Sequence, residues 1–478
     1  VSVAERIAPV DPEALFAAAP AGDRLFWAGS GPGGARLVLA AAGTAQQCMA
    51  QGAHRFAAIA TAWQTLLADA VLDLAGAGTP AGPLFLGGCR FDPLRAPDPA
   101  WAAFPDALFI LPRLIVAAQG DECWLTASAV LAPDVDVEAE HARLLDLHAT
   151  LFAPTLPATR SRGALRLLPA PHPGTEPGAT GTDPRFQMVD AITARQWQDA
   201  VARTAREIRA GRFSKVVLAR QTRLTLQGMD GHSAAFDPVR ALARLRAGYP
   251  AAFHFALARA SQSRHPEAGE QVFVGASPER LVRLHHGTVE VASLAGSIRR
   301  GATPAEDAAL GASLLGSVKD REEHAIVTAM LRAALAPLCR VLDIPNEPVL
   351  MRLPNVQHLY TPVRGRLGNA RSILDLVERL HPTPAIGGYP AAAALAAIRE
   401  REGFDRGWYA APVGWLDRHG DGEFAVAIRS ALLRRTGQAG DALLFAGCGI
   451  VADSDPASEY AESQLKMQAM LSALTPDR

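Results

Sequence analysis

Residues 194–225 read ARQWQDAVARTAREIRAGRFSKVVLARQTRLT, a helix run directly into a strand. Trp197, Val201, Ala205 and Ile208 recur at helical spacing and form one apolar stripe over 194–210. Gly211 stops it, since a glycine just past a helix enters the left-handed region without a Cβ penalty. The stretch 213–225 follows at once, rich in Val and Leu, and reads as a strand. Outward from here, the same patterns predict strands at 252–258, 272–274, 281–285, 289–293 and 424–433. Long helices are predicted at 320–341, 370–380 and 456–474. Upstream, 24–28, 35–40, 83–87 and 108–117 read as strands, and 53–74 and 138–151 as helices. Ladders mixed with interspersed helices predict an α+β fold, with helices packed on large, mostly antiparallel sheets.

The chain has 478 residues, 49% hydrophobic and 20% charged. That is room for two or three average domains or one large body. The stretch 153–183 is dense in Pro, Gly and Thr and reads as a long loop. It separates an N-terminal portion, 1–185, from a C-terminal portion, 186–478. Lys and Arg total 47 against 48 for Asp and Glu, a net charge of -1. No basic excess exists to attract nucleic acid. The longest apolar runs, such as 391–398, are too short to span a bilayer, and the first ten residues do not read as a secretory leader. Five scattered cysteines with no CxxC pair argue against a disulfide framework or zinc site and fit a reducing cytosol.

Gly29-Ser30-Gly31-Pro32-Gly33-Gly34 matches the dinucleotide fingerprint GxGxxG. That fingerprint needs a helix after it. Here 35–39 continues as a strand, so the motif reads as a glycine-rich turn and NAD binding is rejected.

Two helices carry acidic pairs. Asp320 and Glu323 are three apart, as are Glu459 and Glu462, with Lys466 four further on. Each pair shares a face that Val327 and Met330, or Met470, extends toward the core. Oxygen donors without a Cys/His cluster suit Mg²⁺ over zinc. Taken singly, such pairs are more often charges on a solvated helix face. Arg429 alternates with Ala425, Ala427 and Ala431, leaving room for a ligand carboxylate on its guanidinium. Gly447 and Gly449 flank Cys448 where backbone amides can approach a ligand, or where the chain simply turns. Lys215, near the start of its strand, has the chemistry of a base, and Glu279, after Gly275-Ala276-Ser277-Pro278, that of an acid. Taken singly, each is more often an exposed strand-end or turn residue. His358 and His381 could be structural histidines.

Taken together, these segments resemble the chorismate-utilising enzymes, most closely the isochorismate synthases of siderophore type. The carrying blocks are FSKVVLAR (213–220), FVGASPE (273–279), LAGSIRRG (294–301), KDREEH (319–324), NVQHL (355–359), HPTPAIGG (381–388), AIRS (427–430), and AGCGIV (446–451) with Glu459-x-x-Glu462-x-x-x-Lys466. They stand in family order and cover about 190–474. The resemblance implies two large antiparallel sheets packed together with flanking helices, and a site in the cleft. It implies Lys215 as the base activating water for attack at C2 of chorismate, and Glu279 as the acid protonating the departing C4 hydroxyl. It makes Glu323 and Glu462 ligands of Mg²⁺, with Asp320 and Glu459 in the same shell. Arg429 and the Gly447 backbone would hold the enolpyruvyl carboxylate, and Lys466 would lie near the ring carboxylate. His358, Ala385, Ile386, Tyr409 and Ser297 would line the pocket.

Relatives separate by residue. Anthranilate synthases use ammonia and typically have Gln where Lys215 stands. Aminodeoxychorismate synthases typically have a nucleophilic Lys where Ala295 stands. With no glutamine-amidotransferase motif in the chain, water is the expected nucleophile, no amidotransferase subunit is expected, and a cytoplasmic monomer fits. A salicylate synthase, which goes on to eliminate pyruvate, is the alternative. A catalytically silent chorismate-binding module is another, against which the full set of catalytic positions argues.

Overall fold

The structure is a computed structural model that describes residues 1–30, 35–74, 81–153, 186–227, 233–260, 269–352, 356–368 and 372–475. The expected loop at 153–183 lies almost wholly outside them. The described strands hydrogen-bond into one network of 22. All pairs are antiparallel except Ser2–Arg6 with Leu72–Asp73.

The network folds into two layers. One runs through Ala107–Gln119, Arg36–Ala50, Asp23–Ser30, Phe253–Ala260, Glu270–Ser277, Ser430–Thr436, Ala439–Ile450 and Lys215–Gln227. The other runs through Leu84–Cys89, Pro412–Asp417, Gly422–Val426, Arg280–His285, Thr288–Arg299 and Val356–Leu367. Ala107–Gln119 also pairs with Leu84–Cys89 and joins the layers. The N-terminal portion therefore supplies strands to both.

Period-two alternation explains how both faces of the first layer are filled. Along Asp23–Ser30, Leu25 and Trp27 enter a core shared with Phe85, Leu281 and Phe424 of the second layer. Phe26 and Ala28 enter a second core, closed by Leu242 and Leu245 of the helix Pro238–Gly248 and by Met470 of Pro456–Leu474. A strand covered on both sides reads as an unbroken apolar run, here Leu25-Phe26-Trp27-Ala28.

A strand, Phe186–Asp190, opens 186–475, and the helix Ala194–Arg209 follows it, with a capping box between Thr193 and Gln196. Several elements differ from their predicted extents; the strands expected at 35–40 and 289–293 run on as Arg36–Ala50 and Thr288–Arg299. The helix expected at 320–341 spans Val318–Leu335, and Cys339–Asp343 is a strand. Pro337 is the reason: Ala336 still has helical angles and bonds to Arg332 O, but a proline has no N–H to continue the ladder. The helix expected at 53–74 stops at Ala68. The strand expected at 424–433 is two strands, Gly422–Val426 and Ser430–Thr436, in different layers. The chain turns a corner between them, and Arg429 sits there at φ 53°. The alternation of Arg429 with Ala425 and Ala431 was therefore read across a break. Ser30 pairs with Arg36, so strands flank the glycine-rich stretch, whose residues 31–34 lie outside the described ones. Among the described residues no helix is long and apolar enough to cross a membrane.

Candidate active site

The site forms where the chain crosses between layers. Glu270–Ser277 lies in the first layer and Arg280–His285 in the second, so Pro278-Glu279 is a crossing. Val426 to Ser430 is the return crossing. The two corners are stitched together: Val426 N donates to Glu279 O (3.0 Å) and Ala276 N to Arg429 O (3.0 Å). Ser277 Oγ donates to Val426 O at 2.5 Å and accepts from Glu279 N at 3.1 Å. Glu279 and Arg429 are thus fixed by backbone, independent of their side chains.

Glu279 is only partly covered by area, yet protein surrounds its carboxyl. Burial pushes its pKa up to about 7, against the opposing pull of the Lys215, Arg429 and Lys466 charges. Burial wins even with three cations close enough to act on it. A carboxyl near 7 can hold a proton at neutral pH and give it up, which is what a general acid requires.

Lys215 is the first residue of Lys215–Gln227, whose edge is extended by Gly388–Tyr389. Its Nζ lies 2.8 Å from Glu323 Oε1. The other neighbouring strand brings Gly449 alongside: a Cβ there would stand 2.7 Å from Lys215 Cε. Gly449→Ala is therefore expected to displace the lysine and lower turnover, with little change in thermal stability. Steady-state kinetics beside a melting curve checks it.

Glu459 and Glu462 gather with Cys448, their ligand atoms all within 4.8 Å of one another. Burial raises the Glu459 pKa, and the Glu462 charge adds to it, while the Ser454 hydroxyl (2.7 Å) opposes the shift. Lys466 Nζ stands 2.6 Å from Glu462 Oε1 and donates to Gly447 O at 2.9 Å. The donor chemistry fits a hard cation. Burial pushes the Cys448 thiol up to about 12, so it stays protonated and leaves carboxylate oxygens as the donors. Glu323, met by Lys215, stands outside this group, and Asp320 does not join it either. Its carboxylate accepts the Ser317 hydroxyl at the start of Val318–Leu335, and its Cβ lies 3.0 Å from where Gly296 would carry one.

The remaining predicted residues lie on strands and loops. Tyr409 stacks on Phe445 (5.1 Å between centroids), and its hydroxyl is 3.3 Å from a Cβ placed on Gly447. His358 is largely buried, which lowers its pKa, though its bond to the Gly296 backbone opposes this. Ser297 pairs its backbone with His358, and its side chain lies outside the described set. Ile386 is buried and Ala385 half-buried in the loop preceding Gly388. His381 turns away from this chemistry: its Nε2 meets Phe91 O at 3.0 Å, and burial lowers its pKa to about 3.

Sequence reasoning missed a buried pair beside the Lys215 strand. Arg406 and Glu402 form a buried ion pair at 2.5 Å. Arg406 also donates to Ile386 O (2.9 Å) and Val217 O (2.8 Å), and Glu402 accepts from Ala219 N (2.7 Å). One ion pair thus ties the pocket loop to the Lys215 strand. Nothing in REREGFDRGW separates these two charges from their solvated neighbours. The bond from Lys215 to Glu323, 108 residues apart, was equally invisible.

The chorismate binding enzyme family matches residues 1–475, and this chain belongs to that family. The chain is 41% identical to the salicylate biosynthesis isochorismate synthase of Pseudomonas aeruginosa over 99% of this chain and 90% of that one. It is 37% identical to the isochorismate synthase MenF of Bacillus subtilis, over 83% of this chain and 76% of the relative. The solved structure of the menaquinone-specific isochorismate synthase MenF of Escherichia coli shares the fold: TM-score 0.74, 23% identity, covering 99% of this chain and 94% of that one.

Proposed function

We propose that the chain converts chorismate to isochorismate. The carrying observation is the convergence of three cations, Lys215, Arg429 and Lys466, on a carboxyl whose burial keeps it near pKa 7. Chorismate is a dianion, and such a cluster offers it charge compensation beside a group able to donate a proton. Lys215 must first give up its own proton; as the neutral amine it then takes one from water as the water oxygen bonds to C2. The ring double bonds shift, the C4–O bond breaks, and Glu279 delivers a proton to the departing hydroxyl, which leaves as water. Arg429 and the Gly447 backbone receive the enolpyruvyl carboxylate. Tyr409, His358, Ala385, Ile386 and Ser297 shape the pocket around the ring.

Glu323, Glu459 and Glu462 would hold Mg²⁺, which when bound compensates the ring carboxylate. Glu323 is then the residue shared between the cation and Lys215. Chelation is expected to abolish turnover and added Mg²⁺ to restore it, as product formation in EDTA and after readdition will show.

The pH dependence follows from Glu279. It must be protonated to act, so kcat/KM is expected to fall above about pH 7, by about ten-fold per pH unit. A profile flat from pH 6 to pH 9, at ~1-unit steps, would remove Glu279 from the acid role.

Pyruvate elimination from bound isochorismate is the competing outcome. Separating the products of a chorismate incubation distinguishes the two.

A further inference from the structure

Two hairpin turns lie side by side at the far end of the strand that begins after Glu279. The first is His285-His286-Gly287-Thr288, where His285 pairs with Thr288. His286 and Gly287 have φ of 47° and 70°, the pattern of a two-residue type I′ turn. Asn or Asp is the residue usually favoured at the position His286 occupies, because a short polar side chain tolerates that conformation. The second turn is Asp417-Arg418-His419-Gly420-Asp421. Asp417 Oδ1 accepts from His419 N (2.8 Å) and Asp421 N (3.0 Å) and folds this turn tightly. His286 N donates to Asp421 Oδ2 at 2.6 Å and clamps the turns together.

Both imidazoles face the same carboxylate oxygen. His285 Nδ1 lies 3.7 Å and His286 Nδ1 3.6 Å from Asp421 Oδ2. The ligand atoms of the three residues lie within 4.8 Å of one another. The two nitrogen–oxygen gaps are too long for direct hydrogen bonds. They are close to the spacing of two ligands on one tetrahedral cation, about 3.4 Å for bonds of about 2.1 Å. The Asp421 side chain is only 7% exposed, whereas that of His286 is 67% exposed. A cation could therefore enter from solvent onto a carboxylate that the His286 backbone N–H already positions. Arg283 lies near, but its charge is met by Glu290 at 3.4 Å.

We propose that His285, His286 and Asp421 form a second metal site, for a borderline transition cation such as Zn²⁺. Imidazole donors select against Mg²⁺. Glu279 is six residues upstream of His285 along an extended strand, about 20 Å away. The site is thus a clip across two hairpins of the second layer, separate from the chemistry.

The test is calorimetric titration of tag-free protein with zinc chloride in excess Mg²⁺, so that the catalytic carboxylates are already occupied. His286→Asn suits the turn and removes one ligand; His285→Gln removes another. The expected result is one equivalent bound by the parent chain, and affinity at least about ten-fold weaker in each variant, as for loss of a ligand. Zinc should raise the melting temperature of the parent and not of His286→Asn, while turnover in saturating Mg²⁺ stays unchanged in that variant. No binding by the parent, or equal affinity in parent and variants, would overturn the proposal.

Discussion

Glu279→Gln is expected to lower kcat by about 10²–10⁴-fold, the usual worth of a positioned proton donor. The substitution keeps the shape of the side chain, and the corner that carries it is held by Val426, Ser277 and Ala276 through backbone contacts. The fold should therefore survive, and chorismate affinity should change far less than turnover. The descending limb of the pH profile should vanish with the carboxyl, because burial of that group is what sets it near 7. Single-turnover kinetics with a fluorescence titration of chorismate separates the two effects. Turnover within a few fold of the parent enzyme would mean that another group protonates the leaving hydroxyl.

Arg406→Met should be the most damaging change away from the reacting atoms. It strands Glu402, itself only 2% exposed at the side chain, without its cation. Breaking a buried pair from one side costs about 3–5 kcal/mol, because the remaining charge is left uncompensated. Two backbone carbonyls, of Ile386 and Val217, lose their donor as well. The double variant Glu402→Gln/Arg406→Met removes both charges and keeps an acceptor for Ala219 N, so most of that stability should return. Its turnover should remain reduced, since the loop bearing Ile386 is no longer tied to the Lys215 strand. Urea denaturation of both variants measures the first effect and steady-state kinetics the second. A single variant as stable as the parent would show the pair to be dispensable.

The helix before Lys215 was legible because an apolar stripe and a terminal glycine agree locally, and the structure adds a capping box at its start. The strands of the first layer were legible too, since burial on both faces leaves long apolar runs such as 25–28. What failed did so where tertiary layout overrides a local pattern. The stretch 424–433 alternates well enough for one strand, and only the crossing between layers puts Arg429 at a corner. Cys448, one of five scattered cysteines, lies among Glu459 and Glu462, because the helix Pro456–Leu474 folds back onto the strand Ala439–Ile450. Asp320 and Glu323 share a helical face by spacing, but Ser317 claims the first and Lys215 the second. Spacing along a helix states which residues are neighbours and is silent on the partner that reaches them from another element.

In the proposed reaction Lys215 and Glu279 exchange one hydroxyl for another on chorismate and stop there. Incubating the protein with chorismate and Mg²⁺ and resolving the products chromatographically tests this most directly. Isochorismate, approaching equilibrium with chorismate and free of salicylate and pyruvate, is the predicted result. Salicylate with pyruvate in equal amounts, or chorismate returned unchanged, would contradict it.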